Sequence, residues 1–332
     1  MYRYKRLLVG IEFGVNDETT IRYAAMGSRL AQSEKIYFVH VVRSLDRIPE
    51  YLRAEYSNLS EPVDEFTKHQ MEKLVTKYFD GHRDTELEYE VAEGSPLLEL
   101  LCLIEQKGID LMVIGRSRDP KEDVRLPIKL ARKASCSVTI VPGGTEPNPS
   151  NVLVAVDFSE HSTDAMEVGI AFASASGMSD IQCLHVYHVP AGYHKTGKTY
   201  EEFAEIMKGN AEKDYQKFIA TIDCKGISVI PIFKLEQHQI AKAIEEAIEE
   251  NNIDLVVVGT RGRGTFAGLL LGNVTKALIK MTAIPLVAVK RKGTGKVLAP
   301  HAPMWRFISE KLFEVTQKWR SKRAKSSGGG SA

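Results

Sequence analysis

Cysteine is scarce. The 332 residues contain four, Cys102, Cys136, Cys183 and Cys224, none at a paired spacing. A disulfide framework needs closely set pairs, so a reduced, cytosolic setting is expected, with at least three of the four in helix or strand patterns suited to burial. Long apolar runs are missing too: none reaches about twenty residues, which excludes a membrane-spanning helix. The start, Met1 to Arg6, runs straight into a strand pattern with neither a secretory apolar region nor a transit-like leader.

Catalytic signatures are also wanting. There is no Gly-x-Ser-x-Gly elbow, and Lys276 does not complete the Gly-x-x-x-x-Gly-Lys-Ser/Thr spacing of a P-loop. His185, His188 and His194 lie close together, yet in an extended strand residues 185 and 188 face opposite ways and no cysteine or carboxylate completes a ligand set. The glutamate pairs 245–246 and 249–250 read as a solvated helix face. No metal site, no nucleic-acid partner and no dedicated catalytic machinery are expected; any ATP hydrolysis would be slow and incidental.

What is present is a glycine-rich turn. Gly259, Gly262 and Gly272 lie in GTRGRGTFAGLLLGNVTKALI, after the apolar run Ile253 to Val258 and before a segment that predicts a helix over 274–280. A strand ending in glycines and feeding a helix sets bare N–H groups and the positive end of a helix dipole beside one cavity, which suits phosphate. A tight turn that binds nothing is the other reading of the same spacing. An acidic residue, Asp157, ends an earlier apolar strand, Val152 to Val156, and would point into the crevice where open α/β sheets bind ligands.

The chain repeats itself. Residues 7–12 align with 152–157 at an offset of 145, and His40-Val41 align with His185-Val186 at the same offset. Residues 108–115 align with 252–259 at 144, and 136–142 with 284–290 at 148. The first repeat has therefore lost four residues between Gly115 and Cys136, in the loop that would hold phosphate. It keeps no second glycine in Arg116 to Pro120, and Glu12 stands in place of the aspartate. It is expected to bind no nucleotide.

Strands are expected at 151–157, 181–187, 227–233, 253–258 and 285–290, short and rich in Val, Ile and Leu as buried parallel strands are. Ser159 is a candidate cap for a helix ending near Gly177, and Ile240 to Glu250 carries an apolar stripe. The connections 43–70 and 189–215 are expected to form lids or extra helices beside the cavity mouth. The turn-rich stretch Pro142 to Pro149 marks the break between repeats.

With Gly-x-x-Gly, nine residues and a further glycine in place, the sequence resembles a tandem universal stress protein. The resemblance implies two Rossmann-like α/β domains, each a five-stranded parallel sheet flanked by helices, joined as an internal pseudo-dimer through their last strands. It divides the chain into a degenerate domain at 1–144, a linker at 145–150, a nucleotide-binding domain at 151–292 and a tail at 293–332. It implies adenine-nucleotide binding, ATP or a relative with or without Mg, at Asp157 (adenosine), Val186 (adenine, by backbone), Gly259, Gly262, Gly272, Val274 and Thr275. Asn273 departs from the family pattern, which has Ser or Thr there; its amide can still donate, and Asn is a good N-cap residue. Arg261 and Arg263 are added as phosphate contacts on charge alone.

The tail lies outside the family pattern. Residues 296–332 hold eight Lys or Arg and two Glu, a net of +6, leaving −5 on the remainder. Trp305, Ile308, Leu312, Val315 and Trp319 would form one narrow helical stripe. It would lie on an anionic membrane surface or in a membrane-protein groove, or pack back on its own acidic domains. The end, Ser326 to Ala332, reads as flexible linker. Two functions follow: a cytosolic stress-response regulator that signals by nucleotide-dependent partner binding, or a non-nucleotide scaffold docked to a membrane or transporter through the tail. A homodimer of such units is left open.

Overall fold

In the computed structural model, residues 4–42, 63–119, 123–262 and 271–291 are described. Arg263, most of the predicted phosphate loop, the first part of the 43–70 connection and the whole tail stripe lie outside them.

In the first repeat, strands β1 (Arg6–Gly10), β2 (Lys35–Val42), β3 (Glu86–Glu93), β4 (Leu111–Arg116) and β5 (Ser137–Pro142) alternate with helices α1 (Asp17–Ala31), α2 (Val63–Tyr78), α3 (Pro96–Lys107) and α4 (Arg125–Lys133). The second repeat follows the same order. Its strands are β6 (Val152–Val156), β7 (Asp180–Tyr187), β8 (Ser228–Leu235), β9 (Leu255–Gly259) and β10 (Leu286–Val289), and its helices α5 (Glu160–Ser176), α6 (Tyr200–Ile219), α7 (Ile240–Glu250) and α8 (Asn273–Met281). The predicted strands match within three residues at each end. The 189–215 connection is a short 3₁₀ turn, Tyr193–Thr196, followed by the long helix α6.

Local chemistry explains the helix ends. Ser159 caps α5 by accepting the Ser162 N–H at 3.4 Å, and Gly177 at φ 72° closes it, a conformation that costs glycine no Cβ clash. Thr199 and Glu202 form a reciprocal capping box at the start of α6.

All ten strands form one sheet in the order β3-β2-β1-β4-β5-β10-β9-β6-β7-β8. Within each repeat every pairing is parallel; between repeats β5 and β10 run antiparallel. Strand residues alternate between two cores. Leu7, Val9, Val152 and Val154 face the side covered by α1, α2, α5 and α6, while Leu8, Leu153 and Ala155 face the side covered by α3, α4, α7 and α8. The strand order reverses between β1 and β4, and again between β6 and β9, so each repeat has a switch point at the carboxyl ends of those strands, where open α/β sheets take ligands.

Some local expectations need correction. Helix α8 begins at Asn273, one residue early, and Gly272 is its cap; Asn273 is the first helical residue and caps nothing. Cys136 and Cys183 are buried, but Cys102 and Cys224 are half exposed. Glu245 does not lie on a solvated face: it is half buried and accepts a hydrogen bond from the Thr282 hydroxyl at 3.2 Å. Among the described residues, no helix is long and apolar enough to cross a membrane.

Candidate functional site

At the switch point of the second repeat, β6 ends and Asp157 follows. Its carboxylate accepts hydrogen bonds from the Ser162 hydroxyl at 2.6 Å and the Ser159 N–H at 3.1 Å, while its own N–H donates to Ser162 Oγ at 2.9 Å. The first turn of α5 thus fixes the carboxylate arm. Next in the chain, Phe158 holds φ at 60°, unusual for a bulky side chain, and its ring stacks on His185 with centroids 4.2 Å apart. His185 Nδ1 lies 2.9 Å from the Val156 carbonyl, which can only accept, so Nδ1 carries the proton. The sequence reading missed Ser162 and this strained Phe–His pair. A signal existed, because Phe13 and His40 repeat the pair at the same 145-residue offset, with Phe13 at φ 57° and His40 Nδ1 2.7 Å from the Ile11 carbonyl.

From the other side β9 delivers the glycines. A Cβ on Gly259 would come within 2.9 Å of the His161 carbonyl oxygen, so glycine lets β9 approach the first turn of α5. A Cβ on Gly262 would lie 2.5 Å from Asp157 Oδ2; the bare glycine brings the loop and the carboxylate together. Gly272 is different. Its Cβ would meet nothing closer than 3.6 Å, and its N–H instead ties the loop's return to the Thr260 carbonyl at 2.9 Å.

Helix α8 then faces the site with its N-terminus. Lys276 N–H begins the intrahelical ladder on Gly272, and the N–H groups of Asn273, Val274 and Thr275 find no acceptor among the described residues. The buried Thr275 hydroxyl is committed inward, donating to the Gly259 carbonyl at 2.9 Å, so in this structure its side chain anchors the turn. Val186 sits on β7 one residue beyond the last β6–β7 pair, Val156 with His185. In the first repeat, Ile11 N–H donates to the Val39 carbonyl at 2.9 Å, which sets the alternation along β2. By the same alternation Val186 turns its backbone groups toward the side that β6 has already left.

The electrostatics are those of an anion site. Arg261 lies near His161 and Lys290. Burial, and after it the Arg261 charge, holds the His161 imidazole below its usual value, and the same two causes pull the Lys290 ammonium down to about 8. His161 Nδ1 and the Thr260 hydroxyl are buried without a partner among the described residues. Asp157, Val186, Gly259, Arg261, Gly262, Gly272, Asn273, Val274 and Thr275 therefore all stand at the carboxyl ends of β6, β7 and β9 or at the start of α8. Helix N–H groups with no acceptor among the described residues, two glycines that a Cβ would crowd, and a carboxylate anchored at the end of β6 fit a phosphorylated nucleoside.

The first repeat answers the same positions differently. Asp17 stands where the second repeat has Ser162, and its buried carboxylate accepts from the N–H groups of Glu12 at 3.2 Å and Gly14 at 3.0 Å. Burial raises its pKa while those bonds, with one from Phe13, resist the shift. At the start of α4 the Asp123 carboxylate accepts the Arg125 N–H at 2.8 Å and pairs with its guanidinium. In the first repeat these two places are thus taken by carboxylates of the chain itself.

Residues 3–142 and again 149–290 match the universal stress protein family. A universal stress protein of Mycolicibacterium smegmatis is 25% identical over 296 residues, covering 86% of this chain and 96% of its own. The crystal structure of a universal stress protein from Archaeoglobus fulgidus superposes with a TM-score of 0.59 at 17% identity, over 87% of this chain and 100% of that one. A solved universal stress protein in complex with cAMP matches 43% of this chain and 97% of its own, at 18% identity and a TM-score of 0.32. With the family matched in both repeats and the ten-stranded sheet built from two copies of one α/β unit, this chain belongs to the universal stress protein family.

Proposed function

We propose that the second repeat binds one adenine nucleotide per chain and that the protein is a nucleotide-responsive regulator, binding itself being the signal. The observation that carries the reading is that the N–H groups of Asn273 to Thr275 find no acceptor among the described residues, at the start of the helix that follows β9, while a bare Gly262 lies against Asp157 at the end of the neighbouring strand β6. Asp157 would take the adenosine hydroxyls, the Val186 backbone the adenine edge, and the residue 259–275 turn the phosphates, with Arg261 and Arg263 adding charge. ATP, with or without Mg, and ADP or AMP all satisfy this arrangement, since Asn273 supplies an amide where the family has a hydroxyl.

The readout surface would be the rim of the same sheet edge. In the β7–α6 connection Tyr193 packs edge-on against Tyr200 at 5.6 Å and lies 6.4 Å from Phe203, an aromatic group that includes the exposed Tyr200. A bound nucleotide that shifts this connection would change what a partner protein meets.

Mass analysis of the full chain purified without added nucleotide tests the reading. One adenine nucleotide per chain, lost in Asp157→Ala and kept in Glu12→Ala, supports it. Two per chain would overturn the asymmetry, and none, even after incubation with ATP, the function.

A further inference from the structure

Two buried cations cross the seam between the repeats. Arg116, at the end of β4, is 7% exposed, and its Nη2 donates to the carbonyl of Thr282, the residue that closes α8. In the opposite direction Lys290 of the second repeat donates through Nζ to the carbonyls of Ala131 at 3.3 Å and Arg132 at 3.1 Å, in the last turn of α4. Each repeat thus places a cation on the C-terminal carbonyls of the other repeat's phosphate-loop helix. The two residues are not equivalent in sequence: Arg116 aligns with Thr260, and Lys290 with Pro142.

The two arms differ in what lies at the far end of the helix they hold. Helix α4 starts on Asp123, a carboxylate of its own chain. Helix α8 starts on N–H groups that find no acceptor among the described residues, and its first turn is pinned to β9 by Thr275. Thr282, 1% exposed, completes a bridge at the other end: it accepts from Arg116 and donates to Glu245 of α7. A cation on the last carbonyls favours the helix dipole and fixes the axis along which the N-terminal donors point.

We propose that Arg116, a residue of the degenerate repeat, is a positioning residue for the nucleotide of the second repeat, acting through α8. This rests on the function proposed above. The first repeat, having lost its own ligand loop, thereby holds the anion-facing helix of the other repeat in place.

The test uses the full chain and ATP, with affinity measured by calorimetry and hydrogen exchange followed along α8. Arg116→Met is expected to weaken ATP about fivefold to tenfold and to speed exchange in α8, with Arg116→Lys recovering part of both. An Arg116→Met protein that binds ATP as the parent does, or one that binds more weakly with no change of exchange in α8, overturns the proposal and leaves the nucleotide site standing. Failure of the parent chain to bind ATP overturns both.

Discussion

Thr139 pairs with Val287 at the centre of the antiparallel seam, and the two are equivalent positions of the two repeats, 148 residues apart. Their neighbours pair with the equivalence exchanged, Val138 with Ala288 and Ile140 with Leu286. The local two-fold therefore passes through this pair, as the axis of a symmetric dimer passes through its isologous interface. Two strands that would each be an open edge cover one another inside one chain.

Breaking the seam should be costly. Val287→Asp places a carboxylate among Tyr4, Leu111, Val113, Val257 and Leu255, with no cation among the residues lining that space. Burial of an unpaired charge there is expected to cost about 3 kcal/mol or more in urea melts. A variant within about 0.5 kcal/mol of the parent would mean the two repeats barely support each other.

The glycines of the turn after β9 should differ in tolerance. Gly262→Ala puts a methyl 2.5 Å from Asp157 Oδ2, and ATP affinity should fall by about tenfold or more, whereas Gly272→Ala meets only ordinary contacts and should bind within about twofold of the parent. Titration of both variants with ATP measures this, and equal losses would show that spacing alone matters at these positions.

A cavity of about 50 Å³ lies between α1, α5 and the seam strands, and Gly27 lines it. A Cβ at Gly27 meets nothing within 4 Å, and the residue sits inside a helix. Gly27→Ala should therefore stabilise the chain by about 1 kcal/mol, from better helix propensity and partial filling of the void. The urea midpoint should rise with an unchanged slope; a lower midpoint would mean the void is smaller than its walls suggest.

Lys290 gives a pH signature. Its ammonium is held at about 8, against an ordinary 10.5, so between these values the unfolded chain binds more protons than the folded one and stability rises with pH. Between about pH 7 and pH 9 the parent should gain about 1 kcal/mol relative to Lys290→Met. Buried Cys136, raised to about 12 from 9.0, works the other way above pH 9, because there the unfolded chain loses the proton first; the difference between the two proteins cancels this. Parallel pH profiles would show that Lys290 is as well solvated as a surface lysine.

Much of this was legible in the chain. The repeat offsets, the Val- and Ile-rich strands, Ser159 and Gly177 at the ends of α5, and the glycine turn are all local patterns, and local patterns are what period, capping and turn chemistry encode. The family resemblance added the use of the last strands as a seam. Helix α8 began one residue early because Gly272 could cap as well as Asn273, and sequence does not rank two neighbouring caps.

What tertiary structure alone decided is which group meets which. Glu245 looked like one of four solvated glutamates, but the crossing of α7 and α8 set it beside Thr282 and in reach of Arg116. Asp17, the counterpart of Ser162, is buried against the N–H groups of Glu12 and Gly14, a pairing that only the fold sets up. Burial and pairing depend on which surfaces the sheet order brings together, residues more than a hundred positions apart. The amino-acid order by itself determined two copies of one α/β unit with one intact glycine turn; only the packed sheet decided that Arg116 of one copy would reach the last carbonyl of the other copy's helix α8.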